Sequence, residues 1–155
     1  MRMIFVMLLT LPALFPAQLQ ACQMGSHLRR PAKGEVSRDF GFTRHPILHT
    51  LRLHSGQDYQ GAEGDSVFSA EAGVVANAGI EGGYGNYVRI DHGGGLQTAY
   101  AHLKKIKVKP GECVSKGEVI GSIGRSGIAS SIHLHFEVIQ NGRFIDPAIV
   151  LAAAN

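Results

Sequence analysis

The sequence predicts an all-β domain with a duplicated antiparallel β-sheet motif, and three observations carry that prediction. The chain of 155 residues holds 20 Gly, and glycine weakens a helix interior by about 1 kcal/mol per position while favouring tight turns. Beyond residue 34 no ten-residue stretch shows strong helical periodicity, and short alternating or β-branched runs follow one another between glycines. Two segments also echo each other. Gly64-Asp65-Ser66-Val67 followed by Gly73-Val74-Val75 matches Gly111-Glu112-Cys113-Val114 followed by Gly117-Glu118-Val119-Ile120. Each reads as a Gly-acid turn feeding one strand and a second Gly turn feeding another, as in a repeated hairpin unit.

Taken in order, residues 1–21 have one Arg near the start, an apolar run from Met3 to Leu14 and a small residue at Ala21. That is the layout of a secretory signal, too short and too broken by Pro12 and Pro16 to span a membrane. Leu19-Gln20-Ala21-Cys22 resembles the bacterial lipoprotein signal, which implies a lipid on Cys22 that anchors the exported chain to a membrane of the cell envelope. Cleavage elsewhere leaves Cys22 free to pair with Cys113 in that oxidising compartment. Residues 22–33 are polar, basic and non-periodic, and read as a flexible tether that includes an inert His27. The domain is expected over 34–150, with a tail at 151–155. Its clearest strands are Val67–Ala70, Val74–Ala78, Tyr87–Asp91, Leu96–His102, Val119–Ile123 and His133–Ile139. Asp91-His92-Gly93-Gly94-Gly95 reads as a hairpin loop in which His92 is a turn residue.

Composition narrows the function. A hydrophobic share of 45% against 17% charged residues supports a packed core and excludes bulk disorder. The formal net charge is only +3 and no long basic run occurs, so nucleic-acid binding gains no support. Nothing in the sequence fixes an oligomeric state. Eight His against two Cys is the feature that requires a chemical account.

Once His27 and His92 are set aside, most of the remaining histidines fall in three patterns: His54-Ser55-Gly56-Gln57-Asp58, Tyr100-Ala101-His102 and His133-Leu134-His135-Phe136-Glu137. Residues two apart on a strand share a face, so His133, His135 and Glu137 line one side while Leu134, Phe136 and Val138 line the other. The same parity puts Thr98, Tyr100 and His102 together, opposite Ala99, Ala101 and Leu103. Imidazole nitrogen and carboxylate oxygen are the ligands expected for zinc where thiolates are absent, and a catalytic zinc takes three protein ligands with an open fourth position. His54, Asp58 and one of His133 and His135 supply that set, with Gly56 letting the chain bend between the first two.

The chain resembles the lysostaphin/LytM-type zinc metallopeptidases from about Gly34 to Pro147. The matching motifs run from Phe40-Gly41 through His45-Pro46, His54-Ser-Gly-Gln-Asp58, Gly83-Tyr84-Gly85-Asn86, Tyr100-Ala101-His102-Leu103, Val114-x-x-Gly117-x-x-Ile120-Gly121 and His133-Leu134-His135-Phe136-Glu137. The resemblance implies a duplicated hybrid-motif fold with a central groove. It also implies one zinc ion held by His54, Asp58 and His135, and two non-ligand catalytic histidines, His102 and His133. The chain has no His-Glu-x-x-His motif and so lacks the usual Glu base. His102 and His133 are expected to share that work, one on the attacking water and the other on the oxyanion or leaving amine. Asn86 and Tyr100 are candidates to line the groove and bind substrate. Glu137 either orients a ligand or caps the strand's polar face. One departure stands at Thr43, where the family often has Arg, with Arg44 and His45 following. His45 and His49 read as groove or loop residues.

The implied activity is a zinc-dependent endopeptidase cutting peptide cross-links of peptidoglycan, with its stem peptides as substrate and the D-Ala to diaminopimelate bond as target. Against it stand a non-catalytic LytM-like scaffold that activates a wall amidase, and a sugar-uptake phosphocarrier with a similar architecture. An export signal and Asp58 oppose the phosphocarrier. A purely structural zinc is opposed by the count of three ligands.

Overall fold

A computed structural model describes residues 28–44 and 50–151. Cys22, His27, His45 and His49 lie outside the described residues, as do the expected signal and the end of the tail. The strands are β1 (Val36–Arg38), β2 (Gly41–Arg44), β3 (Leu51–His54), β4 (Gln57–Tyr59), β5 (Ser66–Phe68), β6 (Gly73–Glu81), β7 (Gly85–Asp91), β8 (Leu96–Ile106), β9 (Cys113–Val114), β10 (Val119–Ile123), β11 (Leu134–Gln140) and β12 (Arg143–Ile145). A 3-10 turn spans Gly82–Tyr84 and a short helix, α1, spans Pro147–Leu151. One large sheet runs β1-β4-β11-β8-β7-β6-β9, with β10 joining β8 to β5 and β12 on β11; β2 and β3 form a separate hairpin. All pairings are antiparallel.

The echoed segments are partners. β5, the first strand of the first copy, pairs with β10, the second strand of the second copy, while β9 pairs with β6. The two copies therefore exchange strands reciprocally. Their turns are built alike: the Ala62 N–H donates to the Asp65 carboxylate at 2.8 Å, and the Lys109 N–H donates to Glu112 at 2.8 Å. Gly64 (φ 100°) and Gly111 (φ 86°) occupy the left-handed region that each turn requires.

The core lies on one face of the large sheet. Leu134, Phe136 and Val138 of β11 pack with Val88 and Ile90 of β7, Tyr100 and Leu103 of β8, Ile120 and Ile123 of β10, and Val67 of β5. Each apolar side chain removed from water here contributes about 1.5–3 kcal/mol. Leu28 and Ala32 belong to the same core, and the Arg29 N–H donates to the Ala70 carbonyl. Arg29 also stacks over Phe68 and Arg30 over Tyr59. The tether expected over 22–33 is thus corrected for residues 28–33, because the Leu28 and Ala32 side chains and two guanidinium planes find partners on the domain.

A second correction concerns β8. Thr98 and Tyr100 face the core as a pair, but His102 has φ 60° and the β7–β8 register shifts between Asn86/Leu103 and Val88/Tyr100. This bulge carries one extra residue on β8. It returns Leu103 to the core beside Tyr100 and turns His102 to the opposite face. There Ala101 stands across from His135 and Ala99 from Glu137, so two small residues leave room above the sheet.

Candidate metal centre and groove

The open face of the sheet forms the floor of a cleft of about 340 Å³ lined by His54, Asp58, His102, His133 and His135, with Arg38 and Leu53 at one wall and Tyr84, Ile128 and Ala129 among those at the other. Asp58 of β4 and Ala101 of β8 flank His135 in direct cross-strand register, which sets the carboxylate beside the ring. His54 arrives from the end of β3, and the chain turns to β4 through Gly56. A Cβ at Gly56 would lie 2.1 Å from the Phe136 carbonyl oxygen, so the turn can press against β11 only without a side chain.

Three donor atoms converge. His54 Nε2 lies 3.0 Å from Asp58 Oδ1 and 3.1 Å from His135 Nδ1, and His135 Nδ1 lies 2.8 Å from Asp58 Oδ1. Each ring is oriented from behind: His54 Nδ1 donates to the Asp39 carbonyl at 2.7 Å, and His135 Nε2 to Glu137 Oε1 at 3.2 Å. These outer bonds leave a lone pair on each inner nitrogen, the arrangement by which second partners fix metal-bound histidines. Glu137 is 2% exposed and accepts further bonds from the Ser55 hydroxyl and, at 2.9 Å, from Tyr84. It touches the ring of His135 and so orients it.

The charges agree with the geometry. Burial would raise the Asp58 carboxyl, but the contacts with His135 and His54 hold it well below the ordinary carboxylate range. Burial would lower His135, yet the Asp58 and Glu137 carboxylates push it up to about 9. The pocket therefore favours positive charge where three acceptor atoms meet. His54, Asp58 and His135, all buried, are positioned to hold one metal ion. Two imidazoles and one carboxylate, with a cleft beside them, fit zinc of the open, three-ligand kind.

Two more rings face this cluster. His102 Nδ1 donates to the Ser126 carbonyl at 2.9 Å and His133 Nδ1 to the Ser131 carbonyl at 3.0 Å, so each presents a free Nε2. His133 Nε2 is 3.8 Å from Asp58 Oδ1, and the His102 and His133 ring centres are 4.8 Å apart. Burial pushes His102 below its ordinary value, with the nearby histidines adding to the effect against the Ser126 carbonyl.

Two expected substrate-binding residues are placed elsewhere. Tyr100 is fully buried in the core, accepts the Ala70 N–H at 2.8 Å and bonds Thr98 at 2.8 Å, and burial pushes its hydroxyl up to about 12. The Asn86 amide donates to the carbonyls of Leu103 (2.9 Å) and Lys104 (3.3 Å), and so straps the β8 bulge in place rather than lining the cleft. His92 stands in the β7–β8 turn as expected, yet it is 2% exposed there and bonded through both nitrogens to Ala72 and Thr98. Sequence reasoning missed the Asp39 carbonyl, a backbone acceptor without a side-chain signal, and the wall residues Arg38 and Ile128.

Comparison with known proteins agrees with this site. Residues 52–147 match peptidase family M23. The chain is 44% identical over 115 residues to the DD-carboxypeptidase/endopeptidase Mpg of Neisseria meningitidis, covering 74% of this chain and 26% of that protein. It is 39% identical over 113 residues to the peptidoglycan DD-endopeptidase ShyA of Vibrio cholerae, covering 72% and 26%. The chain thus spans about a quarter of the length of these curated relatives. Among solved structures, a zinc-containing peptidase from Vibrio cholerae superposes with a TM-score of 0.74 at 32% identity, covering 80% of this chain and 40% of that one. The catalytic domain of lysostaphin from Staphylococcus simulans superposes with a TM-score of 0.69 at 28% identity, covering 77% and 92%.

Proposed function

The chain belongs to peptidase family M23, and from that premise we propose that it is a zinc metalloendopeptidase that hydrolyses peptide cross-links of peptidoglycan, the D-Ala to diaminopimelate bond in particular. The observation that carries this reading is the meeting of His54 Nε2, Asp58 Oδ1 and His135 Nδ1 within 3.1 Å of one another, beside two further histidines in one cleft. Names of relatives support the choice of bond, since those compared above include DD-endopeptidases.

In this reading His54, Asp58 and His135 hold the ion. When bound, zinc lowers the pKa of water from 15.7 to about 7 and polarises a carbonyl. His102 and His133 provide the proton transfers. His102 is anchored by Ser126, and burial, which lowers its affinity for a proton, favours the uncharged ring with the Nε2 lone pair available. His133, anchored by Ser131, presents its own Nε2 beside His102, the two ring centres 4.8 Å apart. One Nε2 accepts the proton of the attacking water and, as the imidazolium so formed, delivers it to the leaving amine; the other steadies the oxyanion by hydrogen bonding when its Nε2 carries a proton. Action is in the cell envelope, with Cys22 as the lipid anchor and the membrane as partner.

The test is digestion of purified peptidoglycan with the purified, zinc-loaded chain, followed by separation of muropeptides. Cross-linked dimers are expected to disappear with wild type and to persist with His135→Ala or with chelator. Persistence of dimers with wild type under every metal condition would overturn the reading in favour of the amidase-activating scaffold.

A further inference from the structure

We infer that Arg38 is a carboxylate-binding residue at the mouth of the cleft, recognising a free carboxylate on the substrate carbon that bears the scissile nitrogen. The inference deepens the proposed peptidase reading and rests on it. Among the described residues lining the cleft, Arg38 is the sole Lys or Arg and Asp58 the sole acid. Asp58 is engaged by His54 and His135, so it does not pair with the guanidinium's charge. Arg38 sits directly opposite Asp58 in the β1–β4 register, which fixes its backbone beside the metal-ligating row. Its side chain is held too. Nη2 donates at 2.6 Å to Thr43 Oγ1, on β2, at the position that departs from the resemblance described above. One bond leaves most of the five guanidinium N–H donors available, and their fork matches the two oxygens of a carboxylate.

The substrate chemistry supplies such a group. In a D-Ala to diaminopimelate cross-link, the carbon attached to the scissile nitrogen carries a free carboxylate. An oligoglycine bridge has none at that place. A cation at the wall beside the ligand cluster therefore discriminates between these two kinds of bond, and it holds the leaving-amine side of the substrate in register with His102 and His133.

The experiment uses the full zinc-loaded chain and two synthetic peptides. In both, N-acylated D-Ala is joined to the D-centre amine of diaminopimelate; the neighbouring carboxylate is free in one and a primary amide in the other. Turnover and binding are measured on each. A charge-assisted bond at an exposed site is expected to favour the free acid by about tenfold in kcat/KM. Arg38→Gln should bring that ratio to within about twofold of unity, Arg38→Lys should leave part of it, and Thr43→Val should weaken it while Thr43→Ser retains it. Equal wild-type values for the two peptides, or a ratio unchanged in Arg38→Gln, would overturn the inference. A loss in Arg38→Gln that is the same for both peptides would also overturn it, since that is the mark of a structural role. If wild type turns over neither peptide, the peptidase reading fails separately, and the subsite is judged by binding: equal affinity for the two peptides overturns it and tighter binding of the free acid supports it.

Discussion

His92, in the turn after β7, and His135, on β11, are both buried and both bonded through both ring nitrogens, and yet they do opposite things. His92 donates from Nδ1 to the Ala72 carbonyl at 2.9 Å and accepts at Nε2 from the Thr98 hydroxyl at 2.7 Å. One neutral tautomer satisfies both partners. The relay continues from Thr98 to the Tyr100 hydroxyl and on to the Ala70 N–H, closing a loop on the backbone two residues from where it began. Burial lowers the His92 pKa accordingly, despite the Ala72 bond. His135 instead lies between two carboxylates and a second imidazole, a surplus of lone pairs that no tautomer can satisfy. Burial and full bonding are common to both rings; what marks His135 as a candidate metal ligand is a count of donors against acceptors that leaves room for a cation.

The largest effect should come from breaking the surplus. His135→Ala or Asp58→Ala is expected to lower kcat/KM by on the order of 10³-fold or more and to abolish zinc stoichiometry in metal analysis, with little change in the sheet by circular dichroism. Next, His102→Ala and His133→Ala should each cost roughly 10²–10⁴-fold in turnover while zinc stays bound, which separates proton transfer from metal holding. Glu137→Gln keeps the shape behind His135 and removes the charge; zinc affinity by competitive chelation should fall about 10–100-fold.

On the other side of the comparison, His92→Ala should leave zinc stoichiometry untouched and lower unfolding free energy by about 2–3 kcal/mol in denaturant titrations, because the Thr98 hydroxyl and the Ala72 carbonyl lose their partner. The smallest effect is a pH dependence. The folded-state pKa of His92 lies below its ordinary 6.5, so the unfolded chain takes up the proton more readily. Its contribution is complete above about pH 6.5 and is lost as pH falls from there towards the folded value, by less than about 1.4 kcal/mol per pH unit. The stability difference between wild type and His92→Gln should shrink over that window; a difference independent of pH would mean that the ring is not held neutral.

Much of this was legible in the sequence, and the limits are physical. The runs between glycines mark most of the longer strands, since period-two alternation survives wherever one face is core, as at Leu134, Phe136 and Val138. His54, Asp58 and His135 are legible because side-chain donors announce themselves by type and spacing. Parity failed at His102, where a residue with φ 60° inserts into the strand and reverses the faces. Tyr100 and Asn86 stand in motifs beside the site and serve the scaffold, a distinction that depends on tertiary partners alone. The Asp39, Ser126 and Ser131 carbonyls that orient three of the rings are backbone atoms and leave no mark in composition. Residues 28–33 are too short and mixed a segment to reveal that Leu28 and Ala32 are buried.

The reciprocal pairing of β5 with β10 and of β9 with β6 bears on how the chain reaches its native state. Each copy of the echoed unit lends its first strand to the other, so neither half can complete its own hydrogen bonding, and an amino-terminal fragment ending before Val119 leaves β5 without its strand partner. Closure is a non-local event that must wait for late-synthesised residues, which places this small domain among the slower folders for its length. The same exchange interlocks the two halves, so that local opening at one seam withdraws support from the other, and unfolding is expected to be cooperative across both.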